Sequence, residues 1–452
     1  MDNETYRAEL FHEPAPNNVN MPWTIERQLE AYAMHPDATE RHKILLDSWR
    51  QLKRWLSQML GYTLASFPAY SLHNETHCQA ILHNIECLLG EFELHKLSAT
   101  DCFVILVTAY LHDIGMVITY TDRQTIIKSD RFREMIEELK NSPDASLQNA
   151  AAELQVTCYK MGEPLDESDR NKRLTQLYER KLKVFDSITL LLGEQQRRFH
   201  AELAEKKVKE QMQSNSKLQK GFELTQIPMR IFYQAAVCAR LHGDAQFTLL
   251  DECPEQDGGY AQDRYHPRFI AALLILGDGL DLDNDRFHPF MDEFCGDEFI
   301  TAATIFHINK HRSIRTLEIS PKQILISADC ESPEALRVLC NEIDWLKRFL
   351  KNCNYHWNQI APADFQGSLP NIVLNPIRLA GIPIPAEMVT MRFAISQEKA
   401  FSLLQGSRIY NNPFTFLREM IQNACDATKL QYWEDYFSLP GAEQPSKITP
   451  RR

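Results

Sequence analysis

The sequence of 452 residues is poor in glycine, with 16, and its 22 prolines form no periodic tract, so a collagen-like or low-complexity chain is excluded. None of its 11 cysteines sits in a C-x-x-C pair. Zinc ribbons and thioredoxin-type redox motifs therefore have no footing, and a chain this long needs no disulfide staples, which leaves reduced thiols as the expectation. Positive charge is also short. Lys and Arg number 49 against 61 Asp and Glu, a formal charge of -12, so no global field draws the protein onto nucleic acid or an anionic membrane. Any such contact must be local. The longest apolar run, Phe269 to Leu276, falls far short of the roughly 20 residues that cross a bilayer. The opening MDNETYRAELFHEP lacks the basic and apolar regions of a signal peptide, so the expectation is a cytoplasmic protein with no membrane partner.

What the chain does have is 44% hydrophobic and 24% charged residues, enough for a substantial core over two or three domains. Residues 1–40, with Pro14, Pro16, Pro22 and Pro36, read as an irregular leader. From His42 onward apolar residues recur at three- and four-residue spacing (Leu45, Trp49, Leu52, Leu56, Met59, then Ile81, Ile85, Leu88), the pattern of buried amphipathic helices. Asp101 to Gly115 is apolar nearly all round and predicts a central helix ending in LHDIG. The polar stretch of about 121–175 reads as an insertion of short helices and loops outside the core. Helices resume at Gln176–Leu203, Met229–His242 and Arg268–Gly277. After Phe299, the runs TAATIFHI, SIRTLEIS and QILISAD predict strands, and Glu334–Leu350 a helix. The Pro-rich PNIVLNPIRLAGIPIP, up to Pro385, reads as an extended joint closing an α/β connector over 291–385.

Six residues are candidate metal ligands: His77, His112, Asp113, His200, His242 and Asp278. Each lies at or near the end of an apolar or amphipathic run, where side chains can converge on one cavity of a helical bundle. The adjacent His112-Asp113 so close to buried surface needs partners, and a cation supplies them. A lone histidine at a helix end is more often a hydrogen-bonded group than a ligand, and there are 15 in the chain. His73, four residues before His77, is the main rival, expected to share its helix face. The run GDGLDLDNDR fails the EF-hand pattern, so Asp281, Asp283 and Asp285 read as surface groups or as supports behind the ligands. Arg198 and Arg286, close in sequence to proposed ligands, are the candidate phosphate partners, because a guanidinium fork makes two parallel hydrogen bonds to phosphate.

The order His77, His112-Asp113, His200, His242, Asp278 resembles the HD superfamily of metal-dependent phosphohydrolases, over residues 41–290. The resemblance implies a mainly α HD-type bundle. It also implies that His77, His112, Asp113 and Asp278 hold one divalent metal and that the two extra histidines hold a second, with Asp113 bridging, as in the two-metal phosphodiesterases. Imidazole and carboxylate together suit Mn, Fe, Ni, Co or Zn. Asp113, Arg198 and Arg286 are then the expected catalytic groups.

A second motif stands in 386–452, where LLQGSRIYNNPFTFLREMIQNACDATKL predicts a helix carrying Glu419, Asn423 and Asp426 on one face. The string resembles the first ATP-binding motif of the Hsp90-like (GHKL) ATPases, which implies Glu419 as general base, Asn423 as a Mg ligand and Asp426 as a supporting polar group. The later elements of that family do not follow in the 23 residues after Lys429. Either the chain is a fragment of a longer protein, or the ATPase half has degenerated or is completed by a partner chain or by a second copy in a homo-oligomer, and Mg-ATP is expected only if the domain is completed elsewhere. The combined expectation is an HD-type phosphodiesterase acting on a nucleotide, cyclic nucleotide or nucleic-acid strand, regulated by the ATPase-like region and of a kind that serves bacterial defence. The alternatives are a deoxynucleotide triphosphohydrolase and a non-catalytic nucleotide-sensing module.

Overall fold

The computed structural model describes residues 23–71, 73–160, 170–213, 226–244, 246–282, 286–287, 299–365, 367–384 and 420–428. The chain divides into a unit ending at Thr390 and a unit beginning at Met391. The first is built of α1 (Ile25–Met34), α2 (Glu40–Ser66), α3 (Glu75–Leu94), α4 (Ala99–Leu111), a 3-10 turn (Ile114–Met116), α5 (Tyr120–Lys128), α6 (Asp130–Leu139), α7 (Ala145–Lys160), α8 (Arg170–Gln213) and α9 (Met229–Leu241). It continues with α10 (Leu249–Glu252), β1 (Asp257–Gly258), β2 (Arg264–Tyr265), α11 (Pro267–Gly279), α12 (Ala302–Ser313), β3 (Ile314–Ile319), β4 (Gln323–Cys330), α13 (Pro333–Tyr355), α14 (Trp357–Ile360), β5 (Asn371–Leu379) and β6 (Ile382–Ile384).

Helix α4 is the axis of the bundle because its sequence is apolar on every face, and all 13 of its residues are buried. Trp49 of α2 meets Tyr110 edge to face, and Phe103 meets Phe232 of α9 the same way. The apolar stretch Ala99–Met116 is long enough to pass for a membrane span, yet it lies wholly inside the fold.

The N-terminal ends of α4 and α11 cap each other across the chain. Asp101 completes the capping box of α4 with Ser98, and its other oxygen accepts the His266 backbone N–H, 2.8 Å away, at the start of α11. Asp263, just before α11, accepts from the Thr100 backbone N–H and hydroxyl at 2.8 and 2.7 Å. The two helices thereby run in one direction in fixed register, and their C-terminal ends arrive together at the site described below.

Four readings of the sequence are corrected. The leader is not irregular throughout: Thr24 caps α1, which buries Ile25, Leu29 and Tyr32. The 121–175 insertion is not outside the core, since Phe132, Met135, Leu139, Leu147, Ala150 and Ala151 pack with Phe67, Met116 and Leu191 into a second apolar cluster. TAATIFHI is helical, not a strand. Thr301 caps α12 by accepting from Thr304, and the β-branched residues that suggested a strand occupy its first two turns. Finally, His73 precedes the N-cap Asn74 and so shares no helix with His77.

SIRTLEIS and QILISAD form the antiparallel β3–β4 pair; β5 adds in parallel to β4 through α13, and β6 closes antiparallel on β5. The sheet, through Ile324 and Ile326, and α13, through Leu339 and Leu346, share the main apolar cluster with the bundle. In the second unit residues 420–428 are helical and exposed, and they carry Asn423 and Asp426; Glu419 lies outside the described residues.

Candidate metal centre

Local capping sets each donor in place. Asn74 accepts from the backbone N–H groups of Thr76 and His77, which starts α3 and fixes His77 in its first turn. His112 and His242 are the C-cap residues of α4 and α9, and Asp278 is the penultimate residue of α11. Three helix C-termini therefore converge, and their partial negative charge favours a cation. His200 lies within α8. Gly115, two residues after Asp113, lets α8 approach, since any Cβ there would overlap the His200 carbonyl. Gln196 of α8 donates to the Gly115 carbonyl at 2.8 Å.

The imidazoles share one orientation. Nδ1 of His112, His200 and His242 meets the backbone carbonyl three residues back, of Ala109, Arg197 and Ala239, at 2.8, 2.8 and 2.5 Å. Nδ1 of His77 meets Asp281 Oδ2 at 2.6 Å. Carbonyl and carboxylate oxygens only accept, so each Nδ1 carries the donated proton and each Nε2 offers its lone pair inward. His112 Nε2 then lies 3.2 Å from His77 Nε2, and His200 Nε2 lies 2.8 Å from His242 Nε2.

Asp113 stands between the two pairs. Its Oδ2 lies 2.9 Å from His112 Nε2 and 3.5 Å from His77 Nε2, while Oδ1 faces His200 and His242 at 3.7 and 3.9 Å. Asp278 Oδ1 is 3.3 Å from His77 Nε2. Lone pairs brought this close repel unless a cation, either a metal or a shared proton, lies among them. Ligands bonded at ~2.1 Å are separated by ~3.0 to ~3.4 Å in octahedral or tetrahedral surroundings, so the first group has the spacing that a divalent metal requires. The donor set, imidazole nitrogen with carboxylate oxygen, fits such an ion. Among the described residues three overlapping sets have donor atoms within 4.8 Å of one another: His77, His112 and Asp278; His112, Asp113 and His242; His73, His77 and Asp113.

The charges agree. Burial would raise both carboxyls, but the imidazoles of His112 and His73 hold Asp113 well below its ordinary range. The His77 hydrogen bond and the Arg286 charge do the same for Asp278. Burial would lower His112, but Asp113 and Asp278 outweigh it and raise the imidazole to about 9. Burial, reinforced by His112 and His200, pushes His242 down to about 3. The centre thus holds two ionised carboxylates shielded from water, kept ionised by the positive charge beside them, from a proton on His112 and from Arg286, which is the role a bound cation would also fill.

All six sequence-derived ligands meet here, and the sequence undervalued two other residues. His73 donates Nδ1–H to Asp113 Oδ2 at 2.6 Å, and Asp281, buried, orients His77. A glycine beside three of the ligands (HDIG, LHGD, LGDG) was the available signal for close helix approach. Of the two arginines, Arg286 reaches the centre, its Nη2 standing 3.2 Å from His77 Nε2 and 3.3 Å from Asp278 Oδ1. Arg198 does not join it. Its Nε pairs with Glu194 at 2.8 Å and its Nη1 with Glu138 at 3.0 Å, an ion-pair network that ties α8 to α6.

A scan against protein-family models matches the HD-CE family over residues 67–352, more than half of the chain. The span includes every residue of the cluster and continues through α12, β3, β4 and most of α13, but it stops before the ATPase-like segment, for which no comparison adds support. Neither the curated proteins nor the solved structures gave a match. The clustered histidines and aspartates and the family match agree, and the chain belongs to the HD-CE family.

Proposed function

We propose that the protein is a metal-dependent phosphohydrolase that cleaves a phosphodiester, in a nucleotide, a cyclic nucleotide or a nucleic-acid strand. The observation that carries this reading is the Asp113 carboxylate, with one oxygen toward His77 and His112 and the other toward His200 and His242. His77, His112, Asp113 and Asp278 would hold one divalent ion, and His200 and His242 with the second oxygen of Asp113 another. Bound there, such ions supply Lewis acidity toward a phosphoryl oxygen and make water a usable nucleophile near neutral pH.

The chain's own residues do the rest. The backbone carbonyls of Ala109, Arg197 and Ala239 keep three imidazoles in the ligating tautomer, so no reorganisation is needed at the reacting centre. Arg286 offers its guanidinium to a non-bridging phosphate oxygen. No side-chain nucleophile is required, in keeping with a site composed of imidazoles, carboxylates and one arginine. By the resemblance noted above, the segment carrying Asn423 and Asp426 would act as a regulator through a nucleotide or a partner chain.

Hydrolysis of bis(p-nitrophenyl) phosphate with Mn tests the reading. The wild type should turn over and the His112→Ala, Asp113→Ala double variant should not. Equal rates in both would remove the catalytic claim.

A further inference from the structure

Three atoms at the edge of the centre form a nearly equilateral triangle. His77 Nε2 and Asp278 Oδ1 are 3.3 Å apart, and Arg286 Nη2 lies 3.2 Å from the first and 3.3 Å from the second. Two of these corners are lone-pair donors suited to a metal. The third is an N–H donor with a positive charge, which cannot ligate and which repels a cation. Arg286 thus satisfies electrostatically the same two atoms that a metal would take.

The rest of the side chain shows where it can retreat. Its Nε is shielded from solvent, finds no hydrogen-bond acceptor among the described residues, and stands 3.7 Å from Asp281 Oδ2. A small rotation toward Asp281 would make that bond and withdraw Nη2 from His77 and Asp278. An unsatisfied buried donor beside an acceptor just out of reach marks a side chain with a second resting place.

We propose that Arg286 and the divalent cation compete for His77 Nε2 and Asp278 Oδ1, so that metal loading frees the guanidinium to bind a phosphate oxygen of the substrate. The inference rests on the metal-dependent reading above. By linkage, whatever phosphate gains from the freed Arg286 is returned as tighter metal binding.

The test is a calorimetric titration of Mn into chelator-stripped full-length protein, for wild type, Arg286→Gln and Arg286→Lys. Gln removes the charge, and Lys keeps a charge on a stem too short to reach the corner, so one variant still reports if the other does not fold. Each should bind Mn more tightly than wild type, by roughly tenfold, the usual scale of coupling between sites. Saturating inorganic phosphate should tighten Mn binding in the wild type and much less in Arg286→Gln. Variants that bind Mn no more tightly than wild type, or phosphate effects equal in wild type and Arg286→Gln, would overturn the competition while leaving the metal centre intact. A wild type that binds no Mn, Fe, Ni, Co or Zn would instead remove the metal-dependent reading, and this inference with it.

Discussion

His77 Nδ1 and Asp281 Oδ2, separated by 204 positions in the chain, are joined by a buried hydrogen bond of 2.6 Å. The bond holds the His77 ring with Nε2 toward the other donors. Asp281→Asn keeps the shape but replaces an obligate acceptor with an amide that can present its NH2 to the ring. Metal affinity should fall by about 10- to 100-fold, with the fold preserved by circular dichroism. Unchanged affinity would show that His77 is oriented by packing alone.

Gly115 has the same standing for His200. A side chain here cannot be absorbed by a rotamer change, because the overlapping atoms are the His200 carbonyl and the Ala204 amide, 2.9 Å from the ideal Cβ position. Gly115→Ala should push α8 outward and move His200 away from His242, and, on the two-ion reading proposed above, lower the number of metal ions bound from two toward one. Inductively coupled plasma analysis of the purified variant reads this count. Two equivalents in the variant would mean that α8 is not positioned through the glycine.

Periodicity made the bundle legible, since a helix such as α4, apolar on every face after its first turn, has nowhere else to go. Most of the candidate ligands were legible because imidazoles and carboxylates at the ends of such helices need partners; His200, in the interior of α8, was placed by its likeness to the others alone. What escaped was set by tertiary contact. Asp281 sits in an acidic run with Asp283 and Asp285, and only folding shows that it is buried against His77. Proximity in sequence made Arg198 resemble Arg286, yet Arg198 is two residues from a ligand on a helix whose face directs it to Glu194 and Glu138. β-Branched residues in 301–308 favour a strand intrinsically, and the Thr301 cap, followed by the helix-favouring Ala302 and Ala303, overrides them. The short apolar sets of α6 and α7 look insufficient for a core until α8 provides the surface they cover.

Glu86 links pH to stability away from the metal centre. Its Oε1 accepts the Ile25 backbone N–H at 2.9 Å, tying α3 to α1. Burial, with the Glu26 charge, outweighs that bond and raises the carboxyl from 4.5 to about 7. Below the unfolded value both states are protonated and the group is neutral in the balance. As pH rises through the interval from 4.5 to about 7 the unfolded chain ionises first, so stability declines and reaches its lower plateau above the folded value. Some solvent access screens the charge, which makes the loss on the order of 2 kcal/mol. Glu86→Gln retains an acceptor for Ile25 and removes the ionisation. Thermal unfolding should therefore show closely similar midpoints for wild type and variant at pH 3.5, and a higher midpoint for the variant at pH 8. A variant less stable at pH 8 would mean that the ionised carboxylate gains more from the Ile25 N–H than it loses by burial.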